Sequence, residues 1–201
     1  MKNIHKLAAI DIGSNAVRLL ITSIRISKPD TKFKKISLVR VPLRLGEDVF
    51  SKGKISDKKL KKLQKTLKAF KILMQMHEIY MFKTVATSAM REAKNSTKII
   101  EDIFKKLSIK IDLISGKKEA LMIANVFLNS MENLVNNYLY VDVGGGSTEL
   151  NLISKNKIID TKSFKIGTVR TLNNITKDIS WYNFKNWIEN NSKLYKNIVV
   201  I

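Results

Sequence analysis

The chain has 201 residues, no cysteine and two histidines, and its 37 basic against 17 acidic residues give a formal net charge of +20. Without cysteine there can be no disulfide, thiolate nucleophile or thiolate metal ligand, and two histidines argue against a histidine metal cluster or a serine–histidine–acid triad. Because no apolar run approaches the roughly 18 residues of a membrane span, we expect a cytoplasmic globular protein with a sizeable core and no membrane partner.

The positive charge predicts an electric field that attracts polyanions such as polyphosphate, nucleotides or nucleic acid. Lysine supplies 31 of the 37 basic residues, many of them on one predicted helix. Such lysines usually form a solvated face, whereas a nucleic-acid reader more often shows arginine clusters with interleaved aromatic residues. The composition permits a phosphate-rich ligand and argues against a nucleic-acid partner.

The first part of the chain predicts an antiparallel three-stranded meander followed by alternating helices and strands. Ser56 is placed to cap the first helix, and Ser96 to cap the second. Turn residues and the period of the apolar positions give the boundaries. The predicted strands are 7–12, 17–24, 33–41, 81–86 and 110–114, and the predicted helices are 56–78, 96 onward and 117–131.

From Tyr138 the order of elements starts again. The predicted strands are 138–143, a second strand that ends at 153, and 158–164, and the predicted helices lie near 168–173 and 181–195. This repetition predicts an α/β fold with two domains, residues 1–125 and 126–201, and the asparagine-rich segment 133–137 is a candidate linker. The apolar strand pattern at 197–201 stops without a turn. We therefore expect the second domain to be incomplete or to depend on a partner, and a homodimer is compatible with this pattern.

Two segments, AIDIGSNAVRLL at 9–20 and VDVGGGSTELNL at 141–152, repeat one design of strand, acid, glycine turn and strand. Such a hairpin can present backbone N–H groups to phosphate and a carboxylate to a metal ion. A single copy would be an ordinary hairpin turn. Two copies predict a duplicated fold with a phosphate cleft between its halves.

The first hairpin offers Asp11 as a metal ligand, while Ser14, Asn15 and Arg18 are candidate phosphate-binding residues. The second is more specific, because three consecutive glycines contribute no packing and indicate close backbone approach to an anion. Its metal candidates are Asp142 and Glu149, and its phosphate candidates are Gly144, Gly145, Gly146, Ser147 and Thr148.

A third candidate lies at the junction of strand 81–86 with the next helix, where open α/β sheets bind anions. Thr87, Ser88 and Arg91 can contribute to phosphate binding there, although Thr87 or Ser88 can equally serve as a helix cap. Glu119 lies one turn into the helix that follows Gly116. A glutamate in the first turn usually complements the helix dipole, and here Lys117 and Lys118 favour its ionised form, as suits a base.

These segments together resemble the exopolyphosphatase and guanosine pentaphosphate phosphatase family of the actin, sugar kinase and heat-shock chaperone superfamily. The resemblance covers nearly the whole chain. It is carried by AAIDIGSNAVRLLIT, LRLGEDVFSKGKIS, TVATSAMREAKN, LISGKKEA, YVDVGGGSTELNLIS and SFKIGTVRTLN.

The resemblance implies two ribonuclease-H-like (actin-like ATPase) domains around a cleft, the second apparently truncated, and Mg²⁺-dependent hydrolysis of a terminal phosphoanhydride in polyphosphate or guanosine pentaphosphate. It implies that Glu119 activates the attacking water. The glycine loop would bind magnesium and phosphate, and the first hairpin and Arg91 would face the same cleft.

Two positions depart from the family pattern, with Lys118 where a second acid is usual and Leu121 where an arginine is usual. Family members also normally continue beyond the strand at 197–201. A polyanion-binding module without catalysis and a phosphotransferase on the same fold are therefore the alternative functions.

Overall fold

The computed structural model describes residues 4–26, 31–130 and 136–201. They form two compact units, one up to Leu113 and one from Ile114 onward. The predicted domain boundary, between residues 125 and 126, lies later in the chain than the boundary between these two compact units. The predicted domain boundary stays a prediction. The predicted linker residues 133–135 and the predicted helix end at 131 lie outside the described residues.

The first unit contains a mixed five-stranded sheet in the order β3-β2-β1-β4-β5. The first three strands pair antiparallel, which confirms the predicted meander, and β4 and β5 run parallel to β1. Alternate residues of β1 and β2 are apolar and buried, as a sheet face in the core requires. The strands are β1 (Ile4–Ile12), β2 (Val17–Ile26), β3 (Thr31–Val41), β4 (Met81–Ala86) and β5 (Ile111–Leu113).

Four helices complete the first unit: α1 (Leu45–Lys52), α2 (Asp57–Met76), α3 (Ser88–Glu92) and α4 (Ser96–Leu107). The predicted α2 is confirmed, since Leu63, Leu67 and Phe70 recur at helical spacing and are buried in the core beneath it. Ser56 caps this helix, with its hydroxyl oxygen accepting from the backbone N–H of Lys59 at 3.4 Å.

The structure of the first unit differs from the sequence-based expectation in two places. The short helix α1 was not predicted, because eight residues show too few apolar repeats for a helical period. The N-cap of α4 is Asn95 and not Ser96. The Asn95 side chain bonds both backbone groups of Ile55, which fixes the chain before the helix begins.

The second unit contains a four-stranded sheet in the order β8-β7-β6-β9, with the same strand directions as β3-β2-β1-β4. Every residue of β7 is buried. Phe127 of α5 packs on Tyr138 and Tyr140 of β6 at one face, and Phe184 of α7 packs on Phe164 of β8. The elements are α5 (Gly116–Ser130), β6 (Asn137–Val143), β7 (Thr148–Ser154), β8 (Lys157–Phe164), α6 (Thr168–Leu172), α7 (Asp178–Leu194) and β9 (Ile198–Val200).

Two mixed sheets with helices establish the predicted α/β class. Within the described ranges, no helix combines the length and the apolar character that a bilayer crossing demands.

Candidate functional site

The two acidic hairpins have the same turn. The N–H of Gly13 donates to the carbonyl of Ala16 at 3.1 Å, and the N–H of Gly144 donates to the carbonyl of Ser147 at 2.9 Å. In each hairpin the acid and the residue seven positions later are cross-strand partners, Asp11 with Arg18 and Asp142 with Glu149. The repeated sequence pattern therefore builds a repeated structure.

In the second hairpin the loop carbonyls face α6. Gly144 and Gly145 accept from the backbone N–H groups of Thr168 and Val169, at 3.0 and 2.9 Å. The carbonyl of Gly146 accepts from a side chain of the same helix, Arg170 Nε, at 2.6 Å.

These contacts fix the direction of the loop amides. In a planar trans peptide the C=O and the following N–H point in opposite directions. The N–H groups of Gly145, Gly146 and Ser147 therefore face away from α6, and the described residues offer them no hydrogen-bond acceptor. Successive N–H groups turned to one side form an anion-binding concavity.

The first hairpin is held in the same manner by the start of α1. Gly46 N–H donates to the carbonyl of Ser14, and Arg44 N–H donates to the carbonyl of Asn15, both at 2.8 Å. Both helix starts approach their hairpin so closely that a side chain is obstructed. A Cβ on Gly46 would lie 3.1 Å from the Cβ of Ser14, and one on Gly167 would lie 2.6 Å from the backbone of Gly145.

The predicted phosphate residues Ser14, Thr87 and Ser88 come together in the first unit. The hydroxyls of Ser14 and Ser88 are buried and 2.7 Å apart, and Ser14 Oγ also accepts from the N–H of Ala89 at 3.1 Å. Thr87 is the N-cap of α3 but makes no side-chain capping bond. These hydroxyls connect the hairpin to α3, and their contact with phosphate stays a prediction.

The other candidates of the first unit are half-buried or exposed. Arg18 donates to Asp11 Oδ2 at 3.0 Å, with 51% of the arginine side chain and 34% of the aspartate side chain exposed. Asn15 in the turn and Arg91 on α3 are half-buried. An anion can therefore approach Arg18, whereas metal binding by Asp11 would compete with this ion pair.

The side chains of the second hairpin are more deeply buried. Thr148 Oγ1 donates to the carbonyl of Ile166 at 2.8 Å. Glu149 is 1% exposed and accepts from Ser163 Oγ at 2.8 Å. Ser147 is also buried, while Asp142 is half-buried. The hydroxyl of Thr148 thus holds β7 to the chain before α6, and the loop amides are better placed for phosphate than this side chain.

Glu119 lies in the first turn of α5, is half-buried and has its Oε2 atom shielded from solvent. This helix covers the sheet face that carries Asp142, because Phe127 packs on Tyr140 at a ring distance of 5.2 Å and alternate residues of β6 share a face. Glu149 lies on the same face, because it is the cross-strand partner of Asp142. Three carboxylates of the second unit therefore belong to one helix–sheet layer.

The donor set at the second hairpin fits Mg²⁺ in kind. Magnesium usually takes one or two carboxylates and completes its shell with water and substrate phosphate, and Asp142 and Glu149 supply two carboxylates on adjacent strands. No group of three or more histidine, cysteine or acidic side chains suited to a metal occurs in the part of the chain that the structure describes.

Arg170 is a candidate that sequence reasoning missed. It is 6% exposed and holds the glycine loop through Gly146. The only signal in the sequence was its position in SFKIGTVRTLN, the segment that contains the end of β8 and the start of α6.

Comparison with known proteins gives a consistent assignment. Residues 24–191 match the model of the Ppx/GppA phosphatase family. The chain is similar to a bifunctional 3-dehydroquinate synthase/phosphatase of Fusobacterium nucleatum, with 31% identity over 96% of this chain and 31% of that protein. It is also similar to exopolyphosphatase 2 of Mycobacterium tuberculosis, with 25% identity over 82% of this chain and 53% of that protein.

Among solved structures, the Ppx/GppA family member of Aquifex aeolicus superposes with a TM-score of 0.75 at 26% identity, over 98% of this chain and 66% of that one. The chain spans about a third to a half of the length of the two curated relatives. Since the family model matches most of its residues, the chain belongs to the Ppx/GppA phosphatase family.

Proposed function

We propose that this protein releases terminal phosphate from inorganic polyphosphate or guanosine pentaphosphate with the help of Mg²⁺. The observation that carries the proposal is the orientation of the hairpin amides, whose carbonyls are all held toward α6. A run of N–H groups turned away from α6 suits a phosphate oxygen, and these groups have no acceptor among the described residues. The similarity to a bifunctional synthase/phosphatase and to an exopolyphosphatase supports this chemistry.

Each element has a role in the proposed reaction. In the second unit, the N–H groups of Gly145, Gly146 and Ser147 bind the oxygens of the terminal phosphate. In the first unit, Arg18 and Arg91 are the proposed phosphate-binding cations. Asp142 and Glu149 would hold Mg²⁺ in the second unit, and Asp11 is the candidate metal ligand of the first unit. When bound, this ion neutralises phosphate oxygens.

Glu119 is the proposed base. Water attacks the terminal phosphorus, its proton passes to the Glu119 carboxylate, and the bridging P–O bond breaks. Orthophosphate leaves, and the shortened chain keeps the bridging oxygen. Phosphoryl transfer depends mainly on positioning and charge stabilisation, so this set suffices without histidine or cysteine.

We also propose that both units are ribonuclease-H-like domains. The shared strand order and the shared turn support this proposal.

The decisive test replaces the proposed base. Glu119→Gln keeps the shape of the side chain but cannot accept the proton, and we expect phosphate release from polyphosphate or guanosine pentaphosphate to fall by about 10²-fold or more. Glu101→Gln, on the exposed side of α4, is the matched control and should keep wild-type activity. Removal of Mg²⁺ with a chelator should abolish release in both the wild type and the control.

Equal release by the wild type and a folded Glu119→Gln protein would reject Glu119 as the base. Binding of polyphosphate without turnover by the wild type would favour the non-catalytic alternative. Transfer of phosphate from ATP to an acceptor would favour the phosphotransferase.

A further inference from the structure

We propose that Arg170 is a positioning residue that fixes the peptide between Gly146 and Ser147, so that the Ser147 N–H faces the bound phosphate. Arg170 does not itself contact the ligand in this scheme. The inference rests on the proposed function for the class of ligand, a phosphate chain end.

The burial of Arg170 indicates a specific role. The residue is 6% exposed in a helix of only five residues, and its Nε donates to the Gly146 carbonyl at 2.6 Å. Burying a guanidinium carries a large desolvation cost unless its donors are satisfied, so a residue chosen only for packing would be apolar.

The first unit shows why the second needs this side chain. The carbonyl of Asn15, which occupies the position of Gly146 in the duplicated turn, accepts from a backbone N–H, that of Arg44. In the second unit the Gly146 carbonyl accepts from the side chain of Arg170 instead. A side chain of α6 thus replaces a backbone donor.

The glycine run makes such a donor necessary. Gly144, Gly145 and Gly146 have no Cβ atoms to restrict their backbone, so the loop has many conformations of similar energy. Only conformations in which the carbonyls of all three glycines point toward α6 turn the three following N–H groups to the same side. Arg170 fixes the last peptide of the run, while Thr168 and Val169 fix the first two.

A direct phosphate contact is the alternative for a buried arginine beside a phosphate loop. The geometry favours positioning, because Nε is occupied by a carbonyl on the α6 side, whereas the loop amides face the other way. The two roles predict different behaviour of the arginine on ligand binding.

The experiment uses pyrophosphate as the probe and follows ¹⁵N resonances of the wild-type protein during a titration. We expect large shifts of the Gly146 and Ser147 amides and a nearly constant Arg170 Nε–H resonance. A Ser147 amide that does not respond, or an Arg170 Nε–H that shifts as much as the amides, would overturn the proposal. So would the absence of pyrophosphate binding to the wild type.

Variants give an independent measurement. Arg170→Gln should weaken pyrophosphate binding by about tenfold or more, the loss typical of a hydrogen bond from a charged group, and should increase hydrogen exchange at Ser147. Arg170→Lys keeps the charge but lacks the planar Nε donor and should behave like the Gln variant. Lys157→Gln, an exposed residue of β8, is the control.

The outcomes separate the two proposals. A folded Arg170→Gln protein that binds pyrophosphate as the wild type does would refute the positioning role, whatever the activity. A wild type that binds pyrophosphate through Ser147 but hydrolyses neither substrate would refute the proposed function and leave the role of Arg170 intact.

Discussion

Residues 18 and 149 occupy the same position in the two hairpins and carry opposite charges. Arg18 faces Asp11, whereas Glu149 faces Asp142. The same backbone turn therefore carries side chains that suit different ligands. A guanidinium favours phosphate oxygens, whereas a pair of carboxylates favours a cation. This difference explains why a duplicated motif need not bind two identical ligands.

Thr84 gives a prediction at the residue scale that is independent of function. It is 1% exposed on β4, an interior strand of the sheet, and its hydroxyl finds no hydrogen-bond partner among the described residues. Because a buried unsatisfied hydroxyl is costly, Thr84→Val should raise the free energy of unfolding by about 1 kcal/mol. Urea denaturation measures this change.

The control for this substitution is Thr66→Val, where the hydroxyl donates to the carbonyl of Lys62 at 2.9 Å. That change should not be stabilising. A loss of stability in Thr84→Val would show that its hydroxyl does find an acceptor in solution.

At the scale of elements, two carboxylates of α1, those of Glu47 and Asp48, pair with Lys59 of α2. Asp48 Oδ2 accepts from the backbone N–H of Ser56 at 3.0 Å, and Lys59 Nζ lies 3.4 Å from Asp48 Oδ1. Burial raises the pKa of Asp48, but the Ser56 hydrogen bonds and the charge of Lys59 outweigh it and hold the pKa below its ordinary value.

The lowered pKa gives a prediction for the pH dependence of stability. A depressed folded-state pKa stabilises the fold above the unfolded value, about 3.9, and this contribution is lost as the pH falls through the folded value. The wild type should therefore be more stable than Asp48→Asn at neutral pH, and the gap should close below about pH 4.

Urea denaturation at neutral and acidic pH tests this, with Glu101→Gln as the exposed control. A stability gap that is the same at both pH values would contradict the assigned role of the Asp48 charge.

The elements also show which helices and strands a local sequence pattern can predict. The strand at Met81–Ala86 and the long helix α2 were predicted closely. In α2 the reason is an apolar period of its own, with Leu63, Leu67 and Phe70 buried. Helix α1 was not, because its Leu45, Gly46 and Val49 are buried by tertiary contact more than by periodicity. Gly46 in particular serves the approach to Ser14 and carries no helical signal.

At the scale of the whole molecule, the net charge of +20 predicts a salt effect. An excess of like charge destabilises the compact state through self-repulsion. Raising NaCl from about 0.01 M to about 0.15 M shortens the Debye length from about 30 Å to about 8 Å and should raise the melting temperature.

Thermal denaturation at the two salt concentrations measures this effect, and the addition of polyphosphate at low salt should act in the same direction. A lower melting temperature in NaCl would show that the ion pairs of the fold outweigh the repulsion.

The sequence by itself determined the α/β class, the duplication and the family, because these depend on residue type and spacing along the chain. Tertiary structure decided which groups of each hairpin are hydrogen-bonded inside the protein. The hydroxyls of Ser14 and Thr148 looked equivalent to the loop amides as phosphate donors, but they bond Ser88 and Ile166 inside the protein. The carbonyl directions, and with them the proposed role of Arg170, depend on contacts between segments far apart in the chain, which local residue patterns do not encode.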